Sequence, residues 1–260
     1  MNSRTMARPG LLALSGLVAA YAGAAEPADF PIIGISTGVN VTSGSYGGSA
    51  DIEDTEVPLA ISVDHERWAV TVRVPYLSVQ TTDQGLTTTE SGIGDVTAGL
   101  TVFDVASDWQ RGLALDVTGS VKFGTADPDK GLGTGETDVS VYLDGYKFFD
   151  RLTLLASIGH RWRGSTPGAP LNDVVLATVG ATYRASNDGF IGTTYDYRES
   201  AIEGSSDIRE LRVFASLPLG DNWALECHAF TGFTDSSADW GGGIAVATQL
   251  RRFGFRSVGD

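Results

Sequence analysis

Arg67-Trp68-Ala69-Val70-Thr71-Val72-Arg73-Val74-Pro75-Tyr76 falls into two sets when alternate residues are taken. One set is Trp68, Val70, Val72, Val74 and Tyr76; the other is Arg67, Ala69, Thr71, Arg73 and Pro75. Successive side chains of a strand point to opposite faces, so an extended chain here has one apolar face ended by aromatics and one polar, charged face. A helical period would mix the two sets, so the stretch reads as a β-strand.

The split recurs along the chain. Leu152, Leu154, Ala156, Ile158, His160 and Trp162 oppose Thr153, Ser157, Arg161 and Arg163, while Leu115, Val117, Val121 and Phe123 oppose Asp116, Thr118, Ser120 and Lys122. Ile191, Thr193, Tyr195 and Tyr197 oppose Thr194, Asp196 and Arg198, and Val213, Ala215 and Leu217 oppose Arg212 and Ser216. About twelve such segments follow: 32–43, 55–64, 67–79, 93–104, 112–123, 136–148, 151–163, 172–184, 189–199, 207–218, 222–234 and 240–252. Each is close to the roughly 9–11 tilted residues that cross a bilayer as a strand, or a little longer.

The connections alternate in length. Those at 44–54, 80–92, 124–135, 164–171, 199–206 and 235–239 are mostly long and polar. The turns at 64–66, 149–150, 185–188 and 220–221 are tight, and the turn carrying Trp109, 105–111, is the longest of that set. Short periplasmic turns and longer outer loops are the habit of outer-membrane barrels. Aromatics agree: Trp68, Phe148, Tyr183, Phe190, Trp223 and Phe253 fall at one set of strand ends, and Tyr76, Trp162, Tyr195, Tyr197, Phe233 and Trp240 at the other. The fold expected is all-β, a closed antiparallel transmembrane β-barrel of about twelve strands.

The amino terminus reads as an export signal. Arg4 and Arg8 precede the short apolar run 11–20, and Ala22-Gly23-Ala24 offers small residues for cleavage. Residues 1–24 are therefore expected to be a cleaved signal peptide and 25–260 the barrel, in the outer membrane. The few residues before the first strand leave no room for a plug, and at the far end Phe253 and Phe255 are followed by 256–260, which blurs the last strand's boundary.

Formal net charge is −14, and −16 once Arg4 and Arg8 are removed. Such acidity argues against nucleic acid, which demands a basic face. The lone Cys227 excludes an intramolecular disulfide and shares the apolar parity of Trp223 and Leu225. The partners expected are outer-membrane lipids and a small-molecule solute, with no cofactor and no metal.

The inward parity carries charges of both signs, giving as lumen-lining candidates Arg67, Arg73, Asp95, Asp116, Lys122, Asp138, Asp144, Arg161, Arg163, Arg184, Asp196, Arg198, Arg212 and Glu226, with Arg151 beside them. They suit a polar channel for small solutes; equally, their ion pairs could fill and rigidify a closed barrel. Catalysis finds little. His65 falls in a tight turn, His160 faces outward beside Trp162, and His228 points inward near Glu226 without a nucleophile motif. The acidic stretch Asp51-Ile52-Glu53-Asp54 reads as a solvated loop tip, and Gly131-Leu132-Gly133-Thr134-Gly135 lacks the lysine of a phosphate loop. No enzyme is expected.

Three short motifs carry a family resemblance: Gly92-Ile93-Gly94-Asp95-Val96, Val121-Lys122-Phe123-Gly124-Thr125 and Gly133-Thr134-Gly135-Glu136-Thr137-Asp138-Val139. Together they resemble the outer-membrane family labelled "MetA-pathway of phenol degradation", whose members are described as outer-membrane transporters. Gly124-Thr125-Ala126 stands where that family often has Pro-Thr-Gly. The resemblance implies a barrel that passes small, aromatic or hydrophobic compounds, and brings no defined functional residues.

Overall fold

The computed structural model describes residues 31–108, 110–164, 170–186 and 189–250. The expected leader, Trp109, Phe253 and Phe255 lie outside these residues. Thirteen strands follow one another: β1 (Ile32–Gly44), β2 (Asp51–Asp64), β3 (Trp68–Asp83), β4 (Leu86–Ile93), β5 (Thr97–Asp108), β6 (Leu113–Lys122), β7 (Asp138–Phe149), β8 (Leu152–Trp162), β9 (Val174–Arg184), β10 (Phe190–Arg198), β11 (Ile208–Pro218), β12 (Trp223–Gly232) and β13 (Trp240–Leu250).

Each strand pairs antiparallel with its neighbours, and β1 closes the ring by pairing with both β2 and β13. β3 holds β5 along Trp68–Arg73 and β4 along Tyr76–Asp83. β4 and β5 thus share one place in the wall, interrupted at 94–96, and the barrel has twelve staves. β4 pairs with β3 alone, while β5 carries the circuit on from β3 to β6, so the ring itself is closed, the condition for strands to stand in lipid.

The two faces of the wall differ as the alternation requires. Leu143, Ile158, Val179, Val213 and Ile244 are between 43% and 60% exposed on the outside, while Asp116, Asp138, Thr194, Ser216 and Glu226 are no more than 4% exposed on the inside. A continuous apolar ring of this kind is stable only against hydrocarbon. Trp68, Tyr183 and Trp223 ring one end of the barrel; Tyr76, Trp162, Tyr195, Phe233 and Trp240 ring the other.

Two aromatics assigned to those rings point inward instead. Phe190 is buried, its ring 6.2 Å from that of Phe214, and Phe148 shares the inner face with Tyr146 at 6.3 Å. Strand parity decides: Phe190 lies on the face of Thr194, and Phe148 on that of Asp144. The connections at one end are short (65–67, 109–112, 150–151, 185–189, 219–222), and those at the other are mostly longer (45–50, 123–137, 163–173, 199–207, 233–239). The exception at the long-loop end is 80–92, which forms a hairpin rather than the loop its polarity suggested. Its β-branched threonines favour a strand, and Gln84 (φ 49°) and Gly85 (φ 82°) supply the two left-handed residues of a tight turn. At the other end β5 runs on to Asp108 past a bulge, where Asp104 has φ 53° and its N–H donates to Asp116 Oδ1 at 2.8 Å.

Candidate functional site

Inward side chains gather into three groups. The first is a knot at the rim, on the long-loop side. Lys122, the last residue of β6, donates to Asp95 Oδ2 at 2.6 Å, Glu136 O at 2.9 Å and Thr134 Oγ1 at 3.1 Å, and lies 3.7 Å from Asp138 Oδ2. Asp95, in the interruption between β4 and β5, also accepts from Ala126 N at 3.0 Å. Thr125 Oγ1 accepts from Val96 N at 2.9 Å and donates to Gly94 O at 3.0 Å. The approach is close enough to demand glycine: a Cβ on Gly133 would stand 2.6 Å from that of Ala126, and one on Gly124 only 2.2 Å from the Gly135 backbone. The knot draws loop 123–137 inward, where Ala126 and Leu132 are buried. Asp138 continues it, accepting from Gly164 N at 3.1 Å with Arg163 Nε 3.7 Å away.

The second group lies across β1, β2 and β3. Arg73 meets Glu56 at 2.5 Å, and Asn40 donates to the other Glu56 oxygen at 3.1 Å. Glu56 was not among the sequence candidates, although its parity with Ala60, Ser62 and Asp64 places it on the inner face.

The third group covers the inner wall from β7 to β12. Arg161 donates to Ser140 Oγ and Tyr142 Oη, both at 3.1 Å. Arg212 sits 3.6 Å from both Asp196 and Glu210, its guanidinium 4.6 Å over the Phe230 ring. Asp196 is oriented by the Thr178 and Thr194 hydroxyls at 2.7 and 3.0 Å. Arg198 stands within electrostatic range of Arg161, Arg163 and Glu210. Glu210 was likewise missed, though it is Arg212's same-face neighbour. Tyr142 and Phe214 lie flat over glycines, since a Cβ on Gly159 would fall 2.3 Å from Tyr142 Cδ1 and one on Gly192 2.4 Å from Phe214 Cζ. A cavity of about 240 Å3 opens on this wall, bordered by Phe190, Phe214, Ser216, Glu226, His228 and Arg212 among others.

The remaining candidates are dispersed. Asp144 accepts from Thr118 at 3.4 Å, Arg184 ends β9 at the short-turn end, and Arg67 and Arg151 are exposed in the tight turns. Of the histidines, His65 stacks on Trp68 with ring centroids 5.3 Å apart, and His160 packs edge-on against Trp162 at 4.7 Å. Among the described residues no histidine is hydrogen-bonded to a serine hydroxyl, and no cluster of three or more His, Cys, Asp or Glu side chains is placed to hold a metal ion.

Every ion pair of the inner wall named above joins neighbouring staves or residues of one strand. Arg73–Glu56 links β3 to β2, Lys122–Asp95 links β6 to the interrupted stave, Lys122–Asp138 and Arg163–Asp138 link β7 to its two neighbours, and Arg212–Asp196 links β11 to β10. The charges brace the wall along its circumference.

No family model and no curated protein matches the sequence. Among solved structures, the KdgM porin aligns with 84% of this chain and 99% of its own at 12% identity and a TM-score of 0.59. The NanC porin aligns with 84% of this chain and 100% of its own at 12% identity and a TM-score of 0.52. The translocator domain of the autotransporter NalP from Neisseria meningitidis aligns with 86% and 89% at 11% identity and a TM-score of 0.53. The fold is that of outer-membrane β-barrels, porins among them.

Proposed function

We propose that the protein is a passive channel of the outer membrane for small polar solutes, with residues 1–24 a cleaved leader and 25–260 the barrel. The observation that carries this reading is the direction of the lumen ion pairs. A barrel built as a filled peg gains from charges that bridge opposite walls, whereas a channel must satisfy its charges within the wall and leave the axis to solute and water. Twelve staves enclose more than the eight whose side chains fill the interior, though less than the 16–18 of large porins. An aromatic ring, as the sequence resemblance implies, would find the rings of Phe190 and Phe214 on the inner wall. A KdgM porin has been solved in complex with disordered oligogalacturonate. In this chain Arg73, Lys122, Arg163 and Arg212 each have a carboxylate beside them, which favours small solutes of mixed polarity over an acidic polymer.

A filled structural barrel is the second reading, favoured by the rim loop 123–137 folding inward on Ala126 and Leu132. Planar-bilayer recording separates the two. The purified, folded barrel is expected to give discrete single-channel steps in KCl; folded protein with neither conductance nor solute flux into liposomes overturns the channel.

A further inference from the structure

Three inward polar groups border the cavity without a partner. Ser216 on β11 lies directly opposite Glu226 on β12, and His228 is the next inward residue of β12. Ser216 is 2% exposed and Glu226 4%. Ser216 Oγ, Glu226 Oε1 and His228 Nδ1 have no hydrogen-bond partner among the described residues. Among the described residues no ion pair reaches Glu226; Arg212, four residues along β11 from Ser216, is engaged by Asp196 and Glu210. A buried carboxylate left without a counter-charge is costly, and such groups are retained where something else completes them.

The surroundings indicate what completes them. Phe190 pairs across from Ser216 on one side, Phe214 pairs across from His228, and the two rings meet edge to face. Ser216, Glu226 and, in its Nε2-protonated form, His228 offer acceptors, while an ammonium group offers three donors and a positive charge. The ring faces suit both an apolar body and a cation. At about 240 Å3 the cavity is smaller than the roughly 300–1,000 Å3 of drug-sized pockets, so the occupant is small. Besides Tyr142, Tyr197 and Cys227, the other ionisable groups bordering the cavity are His228, Arg212, Arg198, Asp196 and Glu210; the two arginines are matched by Asp196 and Glu210, which leaves Glu226 as the acid with no cation paired to it.

We propose that Ser216, Glu226 and His228, with Phe190 and Phe214, form a binding subsite in the lumen for a small organic cation bearing an ammonium group on an apolar or aromatic body. The proposal deepens the channel reading by naming a solute class, and rests on it only for the cation's passage, not for its binding.

The test uses the full folded barrel in detergent, with benzylammonium as the probe and benzyl alcohol and benzoate as neutral and anionic controls. Calorimetry is expected to give saturable benzylammonium binding at least tenfold stronger than either control. Glu226→Gln, isosteric and uncharged, is expected to abolish that preference, and Phe190→Leu to weaken all aromatic binding while keeping it. Heat-dependent gel migration verifies that each variant is folded. Equal affinity for the alcohol and the ammonium, or an unchanged preference in the folded Glu226→Gln barrel, overturns the subsite. Conductance is read separately: current without selective binding sinks the subsite alone, and selective binding without current sinks the channel alone.

Discussion

Replacing Lys122 by methionine removes the ammonium at the centre of the rim knot while keeping most of the side chain's volume. The ammonium is shared by Asp95, 11% exposed, and Asp138, 2% exposed, and it also holds Glu136 O and Thr134 Oγ1 of the rim loop. Breaking a buried ion pair by deleting one partner costs about 3–5 kcal/mol, because the other charge stays buried. Water reaches the lysine, which is 21% exposed, and Asp138 keeps Arg163 and Gly164 N, so the lower end applies, about 3 kcal/mol. Thr134 and Glu136 belong to loop 123–137, so much of this loss is expected as local opening, roughly a hundredfold rise in the loop's open population. Urea unfolding in phospholipid vesicles reads the global part. Tryptic cleavage at Lys130, exposed within that loop, reads the local part. Asp95→Asn and the double variant complete a cycle whose coupling energy isolates the pair. A loss below about 1 kcal/mol with unchanged cleavage would mean that the knot behaves as an exposed surface pair, and the reasoning fails.

Two further outcomes test the wall itself. Leu143→Arg, outward at mid-strand in β7, is expected to cost about 2–4 kcal/mol in vesicles, whereas Val139→Arg, outward and paired with Trp162 at the aromatic ring, costs about 0–1 kcal/mol; equal costs would contradict the assigned bilayer depth. Gly159→Ala should lower stability by about 1–3 kcal/mol, because the added methyl falls on the Tyr142 ring, and an unchanged urea midpoint would show that the ring is free to move.

The wall was legible because its period is two and its environments are opposite. The expected strand 151–163 became Leu152–Trp162, and 240–252 is met by Trp240–Leu250 up to the last described residue, with the same faces in and out. Legibility failed where polarity was read in place of conformation: 80–92 looked like a loop, yet its threonines and Gln84-Gly85 turn build a hairpin. Phe148 and Phe190 were assigned by their place at strand ends, although the parity of Asp144 and Thr194 already set them inward. Glu56 and Glu210 had the same signal and were passed over, while Thr134 and the Glu136 carbonyl stood in a short motif but had no alternation to place them, since a loop's fold follows no period. Alternation also says which face a residue takes but not which inward neighbour it meets. Register supplies that, and register set Ser216 opposite Glu226.

The three motifs behind the family resemblance meet at one place. Gly94 and Asp95 of the first, Lys122, Gly124 and Thr125 of the second, and Gly133, Thr134, Glu136 and Asp138 of the third are the parts of the rim knot. Their glycines are explained by close packing, Gly124 against the Gly135 backbone and Gly94 and Gly133 against side chains, and their charges by pairing within the wall, so what they encode is the interruption of one stave and the anchoring of a loop. Such motifs would serve any solute, polar or aromatic. In the proposed channel, discrimination among solutes must then come from inward residues outside them, and Phe190, Phe214, Ser216, Glu226 and His228 lie far along the chain from the knot. Two barrels could share these motifs and pass different compounds. Exchanging those five lumen residues is therefore the change that should alter selectivity while leaving the rim, and with it the fold, intact.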